Sequence, residues 1–575
     1  MAPLNIGNRS GQTPHLRRHP TMSRSHPPLV ALLGLVGTLA ACEPAPACDG
    51  YCGTAVIVTI GDVGTLYPPV IGTNQEWEVA DQIFLRLADM GLNLNTVGDQ
   101  GFVPKLASSW TFEDSVTIAF RIDSAARWQD GQPVTAEDVA FTFAVYRDPA
   151  TNSSAGHLLD RIVSVTARDK QTAVFRFTHP YVEQFFDATH HMRILPKHIL
   201  DTIPPLQRAG HEFARHPIGS GPYRLVRWVS QEAIELAADS NFFLGRPGLA
   251  RLIWRTFPDG TGMVAPLETG EADITGAIIG PPNVDRARQI PHIRVIEYPS
   301  PYYGYMGFNF RNPADRTRPH PLFHDRALRR ALTMAIDRVA ITRAVWGEYA
   351  VPAKGPMGPM LRTFAYHLPQ IPYDSAAARA ELARLGWRDH DGDGVLDRDG
   401  QALRFDVIAP ASSGSRIRSA VLIQGQLQPL GVAVNVVELA PAVFGQRAQD
   451  GDFDAIMMTW GTDPTPSTIV ELWTTDGIAA SNWDAYSNPE FDRYVEQARN
   501  ARDSTDERTA WEAAYRIFLD DAPAILLSSP LMNAAVHTRF ENVTIRPDLW
   551  ATTLWTWRIR PGAMIDRDRL VRRDP

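Results

Sequence analysis

Alternating apolar and polar residues in the first third of the chain predict a β-strand followed by a turn and a helix. The apolar positions of the strand lie two residues apart, at Val116, Ile118, Phe120 and Ile122. This spacing is typical of a strand with one buried face. Asp130-Gly131 predicts the turn, because glycine accepts positive φ and aspartate can bond its own backbone. Thr135 and Asp138 then have the spacing of a capping box, which predicts the start of the helix.

Apolar spacing predicts further elements along the chain. Residues 55–60 form an apolar strand, and Ile83, Leu85 and Leu87 indicate a helix after it. Residues 325–338 predict one helix with Asp325 as its N-cap. Its buried face has apolar residues at spacings of three and four, at Leu328, Ala331, Leu332, Ala335 and Ile336.

At 575 residues, with 44% hydrophobic and 21% charged positions, the chain has the composition of a soluble globular protein of two or more domains. Residues 29–41 form an apolar run that is short for a bilayer span but suits the core of a signal peptide. Residues 1–41 are therefore predicted to be a signal peptide, with Met22 as a possible true start. They hold four arginines and no acidic residue, so removing them takes the formal net charge from −8 to −12. The chain then lacks the excess of positive charge that is typical of proteins that bind nucleic acids.

Three cysteines lie at or just after the end of this leader. Leu39-Ala40-Ala41-Cys42 resembles the lipobox of bacterial lipoproteins, in which the cysteine is acylated and becomes the mature N-terminus. Cys48 and Cys52 could close a small disulfide loop in an oxidising compartment. A metal site is the alternative, but the pair has neither a second cysteine pair nor a nearby histidine to complete four ligands. Residues 42–53 are predicted to be a tether that holds the folded body at a membrane surface.

Several longer motifs resemble one protein family. They are Leu106 to Trp110, Trp128 to Val139, Gly219 to Leu225, Asp325 to Arg338 and Tyr486 to Asp492. Together they resemble the family 5 solute-binding proteins, the dipeptide, oligopeptide and nickel receptors of bacterial ABC importers. The resemblance covers about residues 54 to 555.

The resemblance implies an α/β fold of the type II periplasmic-binding-protein class, with two lobes around a cleft and an extra domain inserted in lobe one. Lobe one is expected from residues 54–90, 216–300 and 532–575, the extra domain from 91–215, and lobe two from 301–531. Strands that cross between the lobes would act as hinges, and a ligand would select the closed form.

The resemblance also indicates ligand-binding residues. Peptide-binding members carry a W-x-x-D stretch whose aspartate binds the ligand's ammonium group, and Trp460 and Asp463 have this spacing. Thr465-Pro466 stands where members usually have a second acidic Asp-Pro, so Asp463 alternatively aligns with that structural position. Tyr303 and Tyr305 are placed on the interlobe strand beside the cleft, with core packing as the alternative role.

An acidic loop resembles a calcium-binding loop. Its oxygen ligands would be Asp389, Asp391, Asp393 and Asp397. Gly400 stands where the closing glutamate belongs, so a solvent-exposed turn is favoured over a metal site, and no cofactor is predicted.

The predicted function is capture of peptides outside the cytoplasm by a monomeric, lipid-anchored receptor that delivers them to an ABC permease. Alternatives within the same fold are a nickel chelate, an opine or an oligosaccharide as ligand, or a peptide sensor without transport. A hydrolase is less favoured, because the sequence has neither G-x-S-x-G nor H-E-x-x-H.

Overall fold

The protein is described from a computed structural model that covers residues 51–257, 260, 262–361 and 367–569. The predicted signal peptide, Cys42 and Cys48 lie outside these residues. No helix within the covered ranges is long and apolar enough to cross a membrane.

A seven-stranded mixed sheet forms the centre of the first lobe, here called lobe one. Its strands lie in the spatial order Ile293–Tyr298, Met532–His537, Ile274–Thr275, Thr54–Ile60, Arg251–Phe257, Ala233–Ala238 and Tyr223–Val229. The predicted strand at 55–60 is therefore the fourth of seven. Ala55 and Ile57 pack into one apolar core, and Val56 and Val58 pack into another on the opposite face. Both faces of the strand are covered, which explains its unbroken apolar run.

A six-stranded mixed sheet forms the centre of lobe two. Its strands lie in the order Ala350–Pro352, Ala524–Pro530, Tyr302–Phe308, Ala455–Gly461, Arg404–Pro410 and Ala433–Leu439. The helices of this lobe are Arg326–Met334, Arg338–Trp346, Ser375–Arg384, Gly414–Leu427, Pro441–Asp450, Ile469–Trp473, Pro489–Arg499 and Ser504–Asp521.

The extra domain is built on a four-stranded antiparallel sheet in the order Ala107–Asp114, Thr117–Ile122, Thr172–Phe177 and Ile162–Ala167. The predicted strand at 116–122 is confirmed as Thr117–Ile122. The helix Ala136–Arg147 follows, and the Asp138 carboxylate accepts a 2.8 Å hydrogen bond from the Thr135 backbone N–H, as the capping box predicts. The other helices of the domain are Gln184–His190, Lys197–Leu200 and Pro205–Arg208.

Lobe one carries the helices Asn74–Ile83, Ala265–Glu268, Pro281–Arg288 and Asp566–Arg569. Short 3₁₀ turns occur at Pro68–Val70, Pro149–Thr151, Gly156–Leu159, Glu212–Ala214, Gln428–Leu430, Pro466–Thr468, Asp476–Ala479 and Trp550–Thr556. Two-stranded ribbons pair Ala88–Asp89 with Val103–Pro104, Arg311–Asn312 with Asp315–Pro319, Asp397–Arg398 with Gln401–Ala402, and Phe540–Glu541 with Arg558–Ile559.

The predicted helix through Leu87 ends earlier than expected, at Ile83. The carbonyl of Ile83 instead accepts a 2.7 Å hydrogen bond from the Gly221 backbone N–H. A Cβ at Gly219 would lie 1.8 Å from that carbonyl oxygen, and one at Gly221 would lie 2.5 Å from the Gln82 carbonyl oxygen. The two glycines of the Gly219 to Leu225 motif thus allow the chain to pass close to the helix end, and this contact stops the helix.

The single helix predicted over 325–338 is divided in two. Asp325 does cap the first helix, since its carboxylate accepts hydrogen bonds from the backbone N–H groups of Ala327 and Leu328. The first helix ends at Met334, and Asp337 then caps the second by accepting from the Ala340 N–H at 2.9 Å. A second N-cap residue inside the apolar repeat is the physical reason for the break.

Two short connections join the lobes. Residues 299–301 link the strand Ile293–Tyr298 of lobe one to Tyr302–Phe308 of lobe two, and Leu531 links Ala524–Pro530 to Met532–His537. Within each sheet these neighbours are paired antiparallel, so both connections lie side by side. Their position is the one predicted for a hinge between the lobes. The first and last residues given for each domain stay a prediction, because the strand order shows which strands share a sheet and not where a domain begins or ends.

Candidate functional site

A cavity of about 570 Å³ lies where the two lobes and the extra domain meet. Its walls come from lobe one between residues 68 and 77 and at 546–549, from the extra domain between 154 and 193, and from lobe two between 461 and 471. The volume is in the range of sites that bind small ligands. Contributions from all three domains mean that a ligand here would be enclosed by their closing together.

Asp463 lines this cavity just after the strand Ala455–Gly461, and it is partly buried. Burial raises the pKa of the Asp463 carboxyl, His191 and His157 nearby oppose the shift, and Glu471 and Asp548 add to it. No described residue donates a hydrogen bond to its carboxylate. A carboxylate in this state is suited to accept from a cationic ligand group.

The other acidic side chains that line the cavity within the described ranges all accept hydrogen bonds. Asp160 accepts from Arg147, Glu471 from His157, and Asp548 from Arg546. Glu183 and Asp187 accept from hydroxyl groups, Asp187 from that of Tyr181 at 2.6 Å. Asp463 is thus the acidic group of the wall that remains free to bind a ligand.

Two arginines of the wall, Arg546 and Arg193, form salt bridges with neighbouring acids. Arg546 is 2% exposed and donates to both Asp548 and Asp89, at 2.6 Å each. Arg193 donates to the buried Asp81. The second of these salt bridges joins the extra domain to lobe one, because Arg193 belongs to the extra domain and Asp81 to the helix Asn74–Ile83.

The aromatic residues predicted to contact a ligand do not line the cavity. Tyr303 is 0% and Tyr305 is 5% exposed, and their rings stack on each other at 5.5 Å. The Tyr303 hydroxyl accepts a 3.0 Å hydrogen bond from the indole N–H of Trp473. Trp460 packs edge-to-face on Trp483 at 5.7 Å. Of the four predicted residues only Asp463 lines the cavity, whereas Tyr303 and Tyr305 are buried in the core and Trp460 is partly buried against Trp483.

Tyr302, on the opposite face of the same strand, does line the cavity. Its hydroxyl accepts a 3.0 Å hydrogen bond from the Asn74 side chain of lobe one. Side chains alternate between the two faces of a strand, so Tyr302 faces away from Tyr303, and alternation alone does not show which face meets the cavity.

Two further wall residues join the extra domain to lobe two and were not predicted. His157 Nε2 lies 2.6 Å from Glu471 Oε1, and Glu183 accepts hydrogen bonds from the hydroxyls of Thr465 and Ser467. The hydrogen bond with Glu471 raises the pKa of His157, and burial raises that of Glu183. These contacts span hundreds of positions in sequence, and no local pattern marks them.

The acidic loop has the geometry of a turn. Carboxylate oxygens of Asp389, Asp391 and Asp393 lie within 4.8 Å of one another, and all three residues are exposed. Asp389 accepts from the backbone N–H groups of Gly392 and Gly394, at 2.7 and 3.1 Å. Asp397 instead pairs with His390 at 2.9 Å. The carboxylates are thus already used by the backbone and by a histidine, and calcium binding stays untested.

Cys52 is disulfide-bonded in the structure. Because Cys42 and Cys48 lie outside the described residues, the pairing of Cys48 with Cys52 and the lipid on Cys42 stay predictions.

A family model for bacterial extracellular solute-binding proteins, family 5 Middle, matches residues 101–481. The oligopeptide-binding protein AppA of Bacillus subtilis (strain 168) is 28% identical over 444 residues, which are 76% of this chain and 80% of that protein. The di/tripeptide-binding protein 2 of Pseudomonas aeruginosa (strain UCBPP-PA14) is 24% identical over 472 residues, 78% of this chain and 85% of that protein.

Solved structures share the fold. AppA from Bacillus subtilis in complex with a nonapeptide has a TM-score of 0.74 at 24% identity, covering 88% of this chain and 99% of that one. NikZ from Campylobacter jejuni in complex with Ni(L-His) has a TM-score of 0.73 at 22% identity, with the same coverage. The predicted α/β fold with two lobes, a cleft and an extra domain is thereby confirmed.

Proposed function

Because the chain belongs to the bacterial extracellular solute-binding proteins of family 5, we propose that it captures peptides in the cavity between its lobes and delivers them to the permease of an ABC importer. Relatives named for binding oligopeptides or di- and tripeptides support a peptide ligand. The single observation that carries the proposal is the Asp463 carboxylate, which lines the cavity and accepts no hydrogen bond from the described residues.

In this mechanism Asp463 binds the α-ammonium group of the peptide. The hydrogen bond is charge-assisted, and partial burial strengthens it relative to the same bond in water. The ligand's positive charge also lowers the cost of ionising Asp463, whose pKa burial raises. Binding favours the closed form because only that form surrounds the ligand with all three domains, and bending at residues 299–301 and 531 allows the closure.

The cellular setting is part of the proposal. A lipid on Cys42 would anchor the protein to a bacterial membrane, with residues 42–53 as tether and the body outside the cytoplasm as a monomer. Two acyl chains hold a protein stably on a membrane surface, whereas one gives only marginal binding.

A nickel chelate is the second candidate ligand. His157, His190 and His191 all line the cavity, and a solved structure of the same fold was obtained in complex with Ni(L-His). Against it, His157 is paired with Glu471, His191 is paired with Asp187, and the ring of His190 stacks on Phe186. Burial lowers the pKa of His190 and so keeps it in the neutral form that a metal requires, which leaves it as the one histidine of the three without an acidic partner among the described residues. Opines, oligosaccharides and a sensing role without transport remain as further alternatives.

A thermal-shift screen of the chain without residues 1–42 tests the proposal. The panel contains di-, tri- and longer peptides, the same peptides with acetylated amino termini, oligosaccharides and nickel–histidine chelates. A ligand at one hundred times its Kd stabilises the folded form by about 2.7 kcal/mol. We expect free peptides to raise the melting temperature more than acetylated ones. A shift with only a chelate or a sugar would replace the peptide ligand, and equal shifts with free and acetylated peptides would remove Asp463 from its role.

A further inference from the structure

Glu183 places a buried carboxylate at the boundary between the extra domain and lobe two. It directly precedes the helix Gln184–His190 and is 8% exposed. Three hydroxyl groups donate to it. They are Thr96 at 2.8 Å, Thr465 at 2.7 Å and Ser467 at 3.0 Å. A carboxylate only accepts, and it has lone pairs for all three donors, so its chemistry matches this set of neighbours.

Two of these donors belong to the loop that carries Asp463. Thr465 and Ser467 follow Asp463 by two and four residues, whereas Thr96 belongs to the same side of the boundary as Glu183. The Thr465 hydroxyl also accepts from the Ser467 backbone N–H at 3.0 Å. Glu183 therefore binds both Thr465 and Ser467, the two residues at the ends of this tight turn.

On the other side of Asp463 the loop is anchored within lobe two. The hydroxyl of Thr462 donates to the carbonyl of Pro301 at 2.9 Å and accepts from the Gly358 N–H at 3.2 Å. Asp463 thus lies between an anchor that belongs to its own lobe and an anchor that the extra domain supplies. When the extra domain and lobe two separate, the second anchor is lost and the first remains.

We infer that Glu183 is a positioning residue, which orients the Asp463 loop for the ligand's amino terminus when the extra domain closes on lobe two. The inference rests on the proposed function of Asp463. Its consequence is that preference for a free amino terminus arises on closure, because an open protein has the Asp463 loop fixed at one end only. Glu183 itself acts through the loop and makes no contact with the ligand's ammonium group in this scheme.

The test compares binding of tri-alanine and N-acetyl-tri-alanine by calorimetry. The ratio of the two Kd values reports the orientation of Asp463, whereas a general loss of stability would weaken both peptides alike. We expect a ratio above tenfold for the unaltered protein. Glu183→Gln and Thr465→Val should each lower this ratio of Kd values at least fivefold. Thr465→Ser keeps the hydroxyl and should therefore have the same ratio as the unaltered protein.

Glu507→Gln is the matched control. Glu507 is a buried acid, 3% exposed, whose pKa is raised by burial and by the charge of Glu183, and it is not among the groups that bond to the Asp463 loop. We expect this variant to keep the ratio. If Glu183→Gln fails to fold, Ser467→Ala and Thr465→Val carry the same test from the lobe-two side.

The outcomes separate this inference from the proposed function. A tenfold ratio that survives in the Glu183→Gln and Thr465→Val proteins overturns the positioning role and leaves Asp463 in place. A ratio near one in the unaltered protein, or no binding of tri-alanine, overturns amino-terminus recognition itself and the role of Glu183 with it.

Discussion

His157 Nε2 lies 2.6 Å from Glu471 Oε1, and this pair joins the extra domain to lobe two at the wall of the cavity. The hydrogen bond is the main cause of two opposite shifts, since it raises the pKa of His157 and lowers the pKa of Glu471. Both side chains are about half exposed, at 55% and 41%. The pair is therefore screened by solvent and salt, and its contribution to closure is modest.

This pair predicts a pH window for closure. The His157 charge stabilises the closed form fully when the pH is below 6.5, the ordinary pKa of histidine. This stabilisation is lost as the pH rises through the raised pKa of His157. The Glu471 charge stabilises the closed form fully when the pH is above 4.5, the ordinary pKa of glutamate. This stabilisation is lost as the pH falls through the lowered pKa of Glu471. His157→Gln should therefore weaken ligand binding by up to about threefold at pH 5.5 in low salt and leave it unchanged well above the raised pKa of His157. Calorimetric titration at several pH values checks this. The exposed His216 provides the control His216→Gln, and an equal effect of His157→Gln at all pH values would contradict the prediction.

Replacing Asp463 removes the proposed acceptor for the ligand's ammonium group. Asp463→Ala should weaken peptide binding more than tenfold, a loss of more than about 1.4 kcal/mol in binding free energy. The melting temperature without ligand should not fall, because no described residue donates to this carboxylate and burial disfavours its charge. The matched control is Asp160→Ala, which alters another aspartate of the same wall that is paired with Arg147. Unchanged affinity in the Asp463→Ala protein would remove Asp463 from the site.

Tyr303 should behave as a core residue. Tyr303→Phe removes the hydroxyl that accepts from the Trp473 indole N–H and leaves that buried donor unpaired. We expect a loss of about 1 to 2 kcal/mol in the free energy of unfolding, measured by denaturant titration. Peptide affinity should stay within twofold, and a large loss of affinity at unchanged stability would return Tyr303 to the ligand site.

A buried acid in lobe two predicts a second pH effect, on stability. Asp484 is 4% exposed, its Oδ1 has no hydrogen-bond partner among the described residues, and burial raises its pKa to about 8. The folded protein therefore holds a proton that the unfolded chain releases, and stability falls as the pH rises from about 4 towards 8. Asp484→Asn should raise the free energy of unfolding at pH 8 by at least about 1 kcal/mol and have a smaller effect at pH 4. Denaturant titrations at both pH values check this, and a stabilisation that is the same at both would contradict it.

The sequence predicted those elements whose signals are local. The strands at 55–60 and 116–122 follow from side-chain alternation and apolar runs, and the caps at Thr135 and Asp325 from residue type and spacing. The predicted helix failed where a distant segment intervened. It stops at Ile83 because residues 219–221 pass against its end, a contact that residues 80–90 do not encode.

The residues of the candidate site likewise divide into those that a local motif marks and those that only long-range contacts bring together. The W-x-x-D motif marks Asp463 in the sequence, and the structure brings it to the wall of the cavity, while its ligand role stays a prediction. His157 and Glu183 reach lobe two across sequence separations of 314 and 282 residues, so only the folded chain shows them as partners of Glu471 and Thr465. The resemblance places Tyr303 and Tyr305 beside the cleft with core packing as the alternative, and in the structure both pack against Trp473 in the core.

The central place of the strand Thr54–Ile60 has a mechanical consequence. It is paired along all seven residues with Arg251–Phe257, in parallel, and its first residue is held by the buried Asp568, whose carboxylate accepts from the Thr54 N–H. A pull on the chain ahead of Thr54 is therefore directed along the strand, and its hydrogen bonds are loaded together in shear instead of being opened one after another. The N-terminal end of this strand is thus held by bonds that would have to break together.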